Sequence, residues 1–309
     1  MGFRDVEYCY VIIDFNNQIW KSMHATIKNR NLLNDDGINT GCIIGLVKIL
    51  KFAYMKSKEN LVIPKLVICE DRYPERKKNL YSKYQSVFKD YKKHIIYKDR
   101  PKKDFAYNPI EISRQFVDCI PHIKIWANGE EADDVIASFL NNHKNNKSIL
   151  FSNDYDLCQL LSTYKKLKIY RSDDEENLKD SILKKFEGGS FNKIVLHKVI
   201  RGDSGDNVKS IFRYRFKETI QSYLRCDGSI EDYIKCVYED FGKDSKHFNQ
   251  LIENINLIKL NYKIVKLNEK IKYEKQIFDK INIKKWRRLC EVFQIPSLLN
   301  TPLIKLFSN

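Results

Sequence analysis

Three short apolar runs in this chain each end on acidic residues, and that pattern restricts the fold more than any other feature. Residues 8–13 are apolar, rich in β-branched side chains and stop at Asp14; residues 65–69 stop at Glu70-Asp71; residues 148–151 stop at Ser152-Asn153-Asp154. Runs this short, bounded by polar residues, read as strands buried on both faces. A fourth run, 122–126, precedes Asn128-Gly129. Between them the periodicity predicts helices over 17–29, 40–58, 111–119, 131–143 and 155–161. Alternating strands and helices imply an α/β fold with a mostly parallel sheet covered on both faces. Ligands of such sheets bind beyond the carboxyl ends of the strands, where these acidic residues fall.

Beyond residue 184 the strand signals fade, and helices are expected over 192–200, 231–241 and 248–272. The glycines of Glu187-Gly188-Gly189-Ser190 break the periodicity. The expected division is therefore an α/β core over 1–187, with a basic arch at about 72–108, and an all-helical subdomain with a tail over 188–309. Gly37, Gly41 and Gly45, four apart, predict a smooth helix stripe laid on the sheet.

The formal charge of +15 points to a polyanionic partner, nucleic acid before an anionic membrane surface. The eight cysteines form no C-x-x-C pair and do not cluster with the six histidines, which argues against a zinc site or a disulfide framework and for free thiols in a reducing compartment. The longest apolar stretch, 42–50, contains Lys48 and falls short of the ~20 residues of a spanning helix. The N-terminus lacks the features of a secretory signal. A monomeric intracellular protein of the cytoplasm, or of the host cytoplasm if phage-encoded, is expected.

Five acidic motifs carry the functional argument: Asp14; Asp71; Glu131, Asp133 and Asp134 in Gly-Glu-Glu-Ala-Asp-Asp; Asp154 and Asp156 in Ser-Asn-Asp-Tyr-Asp-Leu; and Asp203 and Asp206 in Gly-Asp-Ser-Gly-Asp-Asn. Singly, each has a plain explanation. An aspartate after a strand is commonly a turn former or helix N-cap, and carboxylates in a first helical turn complement the helix dipole. Local structure does not explain why so many gather at one end of one sheet in a basic chain. Close carboxylates repel, and burial raises their pKa values further, so the cluster is costly unless cations occupy it. Oxygen ligands without histidine or cysteine suit Mg²⁺ or Mn²⁺. Two such ions about 3.5–4 Å apart activate water and neutralise a scissile phosphate, which is phosphodiester hydrolysis.

In their order along residues 8 to about 270, these motifs resemble the 5′ nuclease superfamily of flap endonucleases, polymerase-associated 5′ exonucleases and phage ribonuclease H proteins. Length, and the lack of a glycine-rich hairpin after Asn207, look most like the T-even phage ribonuclease H branch. The resemblance implies a PIN-like nuclease core, a helical arch and removal of RNA primers and short DNA from 5′ ends. It also implies that Asp14, Asp71, Glu131 and Asp133 hold a first metal ion. Asp154, Asp156, Asp203 and Asp206 hold a second, with Asp134 farther out. One departure stands out. The family's Tyr-Lys-x-x-Arg segment reads Tyr84-Gln85-Ser86-Val87-Phe88 here, so Lys83, Arg76 or Lys89 must supply the positive charge, or cleavage is weak.

Arg72, Arg76, Lys77, Lys78 and Lys83 interleave with Tyr73, Tyr81 and Tyr84, a composition that suits a single-strand channel. Lys209, Arg213 and Arg215 lie where the family grips duplex. Leu303, Leu306 and Phe307 have the spacing of a peptide that docks on a sliding clamp, and a tail covering its own core is the plainer explanation. A single-strand-binding protein is a further partner in this setting. Two alternatives stay open: a flap- or primer-junction-binding relative that cleaves poorly, and a PIN-type ribonuclease.

Overall fold

A computed structural model describes residues 9–26, 32–58, 64–87, 108–171, 178–300 and 304. Among them, strands β1 (Cys9–Asp14), β2 (Pro64–Cys69), β3 (His122–Trp126), β4 (Lys147–Phe151), β5 (Leu167–Tyr170) and β6 (Glu274–Phe278) form one sheet in the order β5-β4-β1-β2-β3-β6. The first five are parallel, and β6 runs antiparallel along the edge of β3.

The strands are apolar throughout because both faces are covered. Cys9, Val11 and Ile13 of β1 point into one core, with Phe151 of β4; Tyr10 and Ile12 point into the other, with Leu150. The first core is closed by α1 (Phe15–Thr26), α2 (Gly41–Lys58) and α4 (Pro109–Val117), the second by α5 (Ala132–Asn142). Another helix, α3 (Glu75–Val87), follows β2, and α6 (Leu178–Lys185) follows β5.

A third core is built from α7 (Ile194–Arg201), α8 (Ile220–Arg225), α9 (Ile230–Phe241), α10 (Lys246–Glu253) and α11 (Ile255–Val265). The C-terminal part departs from the all-helical expectation at β6, which completes the sheet of the N-terminal part. After it, α12 (Ile283–Val292) buries Trp286 against Phe116 in the first core, with ring centroids 5.2 Å apart. The run expected over 248–272 is two helices separated at Asn254. The segment expected to be helical at 155–161 is a 3-10 helix, Asp156–Ser162.

The glycine expectation also needs correction. Gly37 sits in a turn with φ +73°, before α2 begins. Gly41 and Gly45 face α1 rather than the sheet: an added Cβ would lie 2.0 Å from Thr26 Oγ1 and 2.3 Å from Ser22 Oγ respectively. All eight cysteines are buried and free. No helix of the described residues is long and apolar enough to cross a membrane.

Candidate metal centre

Strand order reverses at β1, which lies between β4 and β2. A crevice at such a reversal opens beyond the carboxyl ends of the strands. Asp14 closes β1 there and is buried, with Ser152 and Asp154 just beyond β4 and Asp71 just beyond β2. Ser152 Oγ donates to Asp14 Oδ2 at 2.6 Å and accepts from Asp154 N at 3.0 Å, tying the two motifs together. Asp154 Oδ1 accepts from Asp156 N at 2.8 Å.

Asp71 Oδ1 accepts the N–H of Ala132 at 2.8 Å and so caps α5 from another strand. Glu131, the N-cap residue, makes no side-chain cap bond of its own. That arrangement fixes Glu131 and Asp133 beside Asp71. Asp134 is fully buried and turned elsewhere, accepting Asn268 N at 2.8 Å and pairing with Arg76 Nη2 at 2.5 Å.

The carboxyl groups influence one another strongly. Burial, then repulsion by Asp71 and Asp154, pushes Asp14 up to about 8, against the bond from Ser152. Burial and repulsion by Asp154 and Asp14 raise Asp133 well above the usual carboxylate range. Asp156 is raised to about 7 by burial and by Asp154, with Lys198 opposing. Residues of four of the motifs identified in the sequence therefore lie near enough to act on one another.

The fifth is joined to them through a lysine. Lys198 of α7 is ion-paired with Asp156, with Asp203 at 2.6 Å and with Asp206 at 3.5 Å. Asp203 also shapes its turn, accepting Gly205 N at 2.7 Å. Gly202, at φ +80°, is required here, since a Cβ would lie 2.6 Å from Ser210 N. Lys77 is the counterpart on the other side, paired with Glu131 and 3.7 Å from Asp134.

Among the described residues, no three His, Cys, Asp or Glu side chains surround one point so as to hold a metal ion as they stand. The donor set nevertheless fits a hard divalent cation: it is all oxygen, and its raised carboxyl pKa values mark a deficit of positive charge that Lys77 and Lys198 only partly offset.

Of the cations expected to meet nucleic acid, Arg76 and Lys77 instead turn toward Glu130, Glu131 and Asp134. Arg72 lies 3.5 Å from Glu70 and over the Trp126 ring, and Lys78 bonds Tyr73. Lys209 is partly exposed. The side chains of Lys83, Tyr84, Gln85, Arg213 and Arg215 lie outside the described residues, as do Lys89 and the tail positions Leu303, Leu306 and Phe307. Ser152 and Lys198 were not singled out from sequence; a lysine inside the apolar stripe of residues 194–200 is the signal that could have found the second.

The family model described as the 5′-3′ exonuclease N-terminal, resolvase-like domain matches residues 9–187. DNA polymerase I of Helicobacter pylori is 30% identical over 195 residues, 63% of this chain and 20% of that protein. DNA polymerase I of Caldicellulosiruptor bescii is 24% identical over 249 residues, 79% of this chain. The chain thus spans 20% and 27% of the length of these relatives. Two solved structures share the fold. Bacteriophage T5 5′-exonuclease with bound zinc gives a TM-score of 0.57 at 14% identity, covering 97% of this chain and 98% of that one. A variant bacteriophage T5 flap endonuclease, complexed with DNA and metal ions, gives 0.55 at 15% with the same coverage.

Proposed function

Because the chain belongs to the 5′-3′ exonuclease family through its N-terminal, resolvase-like domain at residues 9–187, we propose that it is a metal-dependent 5′-3′ exonuclease and flap endonuclease. Its substrates are 5′ ends and flaps of DNA and RNA–DNA duplexes, and RNA primer removal during replication is the role this chemistry serves. The observation that carries the proposal is the placing of Asp14, Asp71 and Asp154 at the carboxyl ends of the adjacent strands β1, β2 and β4, where strand order reverses, with Asp71 bonded to the start of the helix that bears Asp133. The narrower likeness to the T-even ribonuclease H branch rests on length and on the stretch after Asn207 alone.

Asp14, Asp71, Glu131 and Asp133 are the residues to hold one ion; Asp154, Asp156, Asp203 and Asp206 are those to hold another. Two ions of the Mg²⁺ or Mn²⁺ class supply, when bound, a lowered pKa for water and charge compensation for phosphate. The chain's own groups set the geometry. Ser152 orients Asp14, Asp71 is fixed by the α5 N-terminus, and Lys198 spans Asp156 and Asp203. Ser152 and the α5 amide thereby hold Asp14 and Asp71 in place. The chain's net charge of +15 favours the approach of a polyanion. A sliding clamp reached through Leu303, Leu306 and Phe307, and a single-strand-binding protein, are proposed partners.

A labelled 5′-flap oligonucleotide with Mg²⁺ tests the proposal. The Asp154→Asn, Asp156→Asn double variant should cut about a thousandfold more slowly, equivalent to roughly 4 kcal/mol of transition-state stabilisation. A wild type that binds the flap yet cuts no faster than this variant would leave the second reading, a junction-binding relative. That reading is favoured by Gln85 and by the Lys198 ammonium lying against carboxylates assigned to the second ion.

A further inference from the structure

Beside the carboxylate crevice lies a second charge network, centred on the buried Glu70 and Lys124. Glu70 follows the last residue of β2 and is 1% exposed; its N–H donates to Ile125 O at 3.1 Å, adding one rung to the β2–β3 ladder. Its Oε1 accepts from Arg114 Nε at 2.8 Å and lies 3.7 Å from Lys124 Nζ, while Arg72 Nη2 lies 3.5 Å from Oε2. Arg114 pairs in turn with Glu111, and Lys124 with Asp118 at 2.9 Å. Glu70 Oε2 is buried without a hydrogen bond.

Stability alone is a weak reason for this arrangement. Desolvating a carboxylate and its partners offsets most of their attraction, and an apolar side chain of similar size commonly does as well. What the charges do supply is direction. Glu70 and Arg72 flank Asp71, whose Oδ1 holds the α5 N-terminus and whose charge is felt at Asp14. Arg114 belongs to α4, the first described element after residues 88–107, whereas Glu70 precedes the basic stretch that begins at Arg72. One ion pair therefore joins the two sides of that stretch immediately beside the crevice.

We infer that Glu70 is a positioning residue: held by Arg114 and Lys124, it aims Asp71 into the cation site and sets the spacing between the end of β2 and α4. The inference rests on the metal-dependent function proposed above. Groups that orient metal ligands typically alter affinity or activity by about 10–100-fold when removed.

The test uses the full chain in two variants. Glu70→Gln keeps the shape and one acceptor but removes the charge; Arg114→Lys keeps the charge but loses the planar donor. Mn²⁺ affinity is read by electron paramagnetic resonance, kcat and KM on a 5′ flap, and Tm by calorimetry. Mn²⁺ affinity and kcat should both fall about tenfold, the low end of that range, with KM for the flap within about twofold of wild type. Mn²⁺ affinity and kcat within about twofold of wild type in either folded variant overturn the inference. So does failure of both variants to fold, or a loss that tracks Tm and extends equally to metal-free flap binding, since either outcome reduces Glu70 to a structural role. A wild type that neither binds Mn²⁺ nor cuts the flap defeats the proposed function instead, and the two failures are separable.

Discussion

Lys198 carries more of the local electrostatics than its apolar neighbours in sequence suggest. It is the cation shared by Asp156 and Asp203, with its own pKa raised by Asp156, Asp206 and Asp203 against the effect of burial. Asp206, at 3.5 Å and with its side chain 54% exposed, is the more distant and more solvent-screened partner. Replacing Lys198 with methionine leaves Asp156 without its partner, and breaking a buried pair costs about 3 kcal/mol. Lys198→Met should therefore lower metal-free stability by about that amount, measured in a urea titration, while the rise in Tm on adding millimolar Mg²⁺ becomes larger than in wild type. Wild-type stability in the variant, or an unchanged response to Mg²⁺, would refute this account. Asp14, Asp71 and Asp154 were legible in the sequence because each ends or follows a strand, Glu131 and Asp133 because they open a helix, and Asp203 and Asp206 because they lie in a glycine-rich turn. Lys198 was not, because its partners Asp156 and Asp203 come together only through the packing of α7 against the 3-10 helix that Asp156 opens.

The packing of α1 on α2 is set by what α2 lacks. Gly45 places bare backbone against Ser22, and a Cβ built there would lie 2.4 Å from Ser22 Cβ as well as 2.3 Å from its Oγ. Rotation can carry the Oγ away but not the Cβ, which is fixed to the α1 backbone, so the helices must separate. Gly45→Ala should destabilise the protein by about 2 kcal/mol despite alanine's better helix propensity, a loss readable as a lower urea midpoint at unchanged m. A stabilised Gly45→Ala variant would mean the two helices are not held as described. Here the four-residue glycine spacing revealed a smooth helix face but not its partner, because spacing is intrinsic to one helix and the opposing surface is not. The strands follow the same logic. β1, β2 and β4 were legible because burial on both faces demands continuous apolar sequence. β5 is only four residues long, and β6 is an exposed edge whose Glu-Lys-Gln-Ile-Phe sequence carries little of that demand. Pairing with β3, a tertiary event, makes it a strand.

Over the whole molecule, a basic protein concentrates its raised carboxyl groups in one crevice, and this links metal, protons and stability. Asp14 and Asp156, raised to about 8 and about 7, ionise near 3.8 in the unfolded chain. The buried His122 and His197, whose values are lowered, act in the opposite sense near pH 6.5, where unfolded imidazoles are still about half protonated, but they are neutral in both states above about pH 7.5 and offset only part of the carboxyl effect. Between about pH 6.5 and 8 the folded protein therefore holds protons that the unfolded chain has already released. Stability falls with pH wherever the folded state binds more protons, so the metal-free protein should lose Tm across this window, and the buried thiols, whose values are raised, extend the fall above it. Divalent cations bind the ionised carboxylates and must displace those protons, which makes the Mg²⁺-induced rise in Tm larger at pH 8 than at pH 6.5. The same linkage requires proton release when Mg²⁺ binds near pH 7, visible as binding heats that differ between two buffers of unequal ionisation enthalpy. Equal heats in both buffers, together with a Tm independent of pH in the metal-free protein, would mean that the carboxyl groups are already ionised and that the crevice is neutralised by its lysines alone.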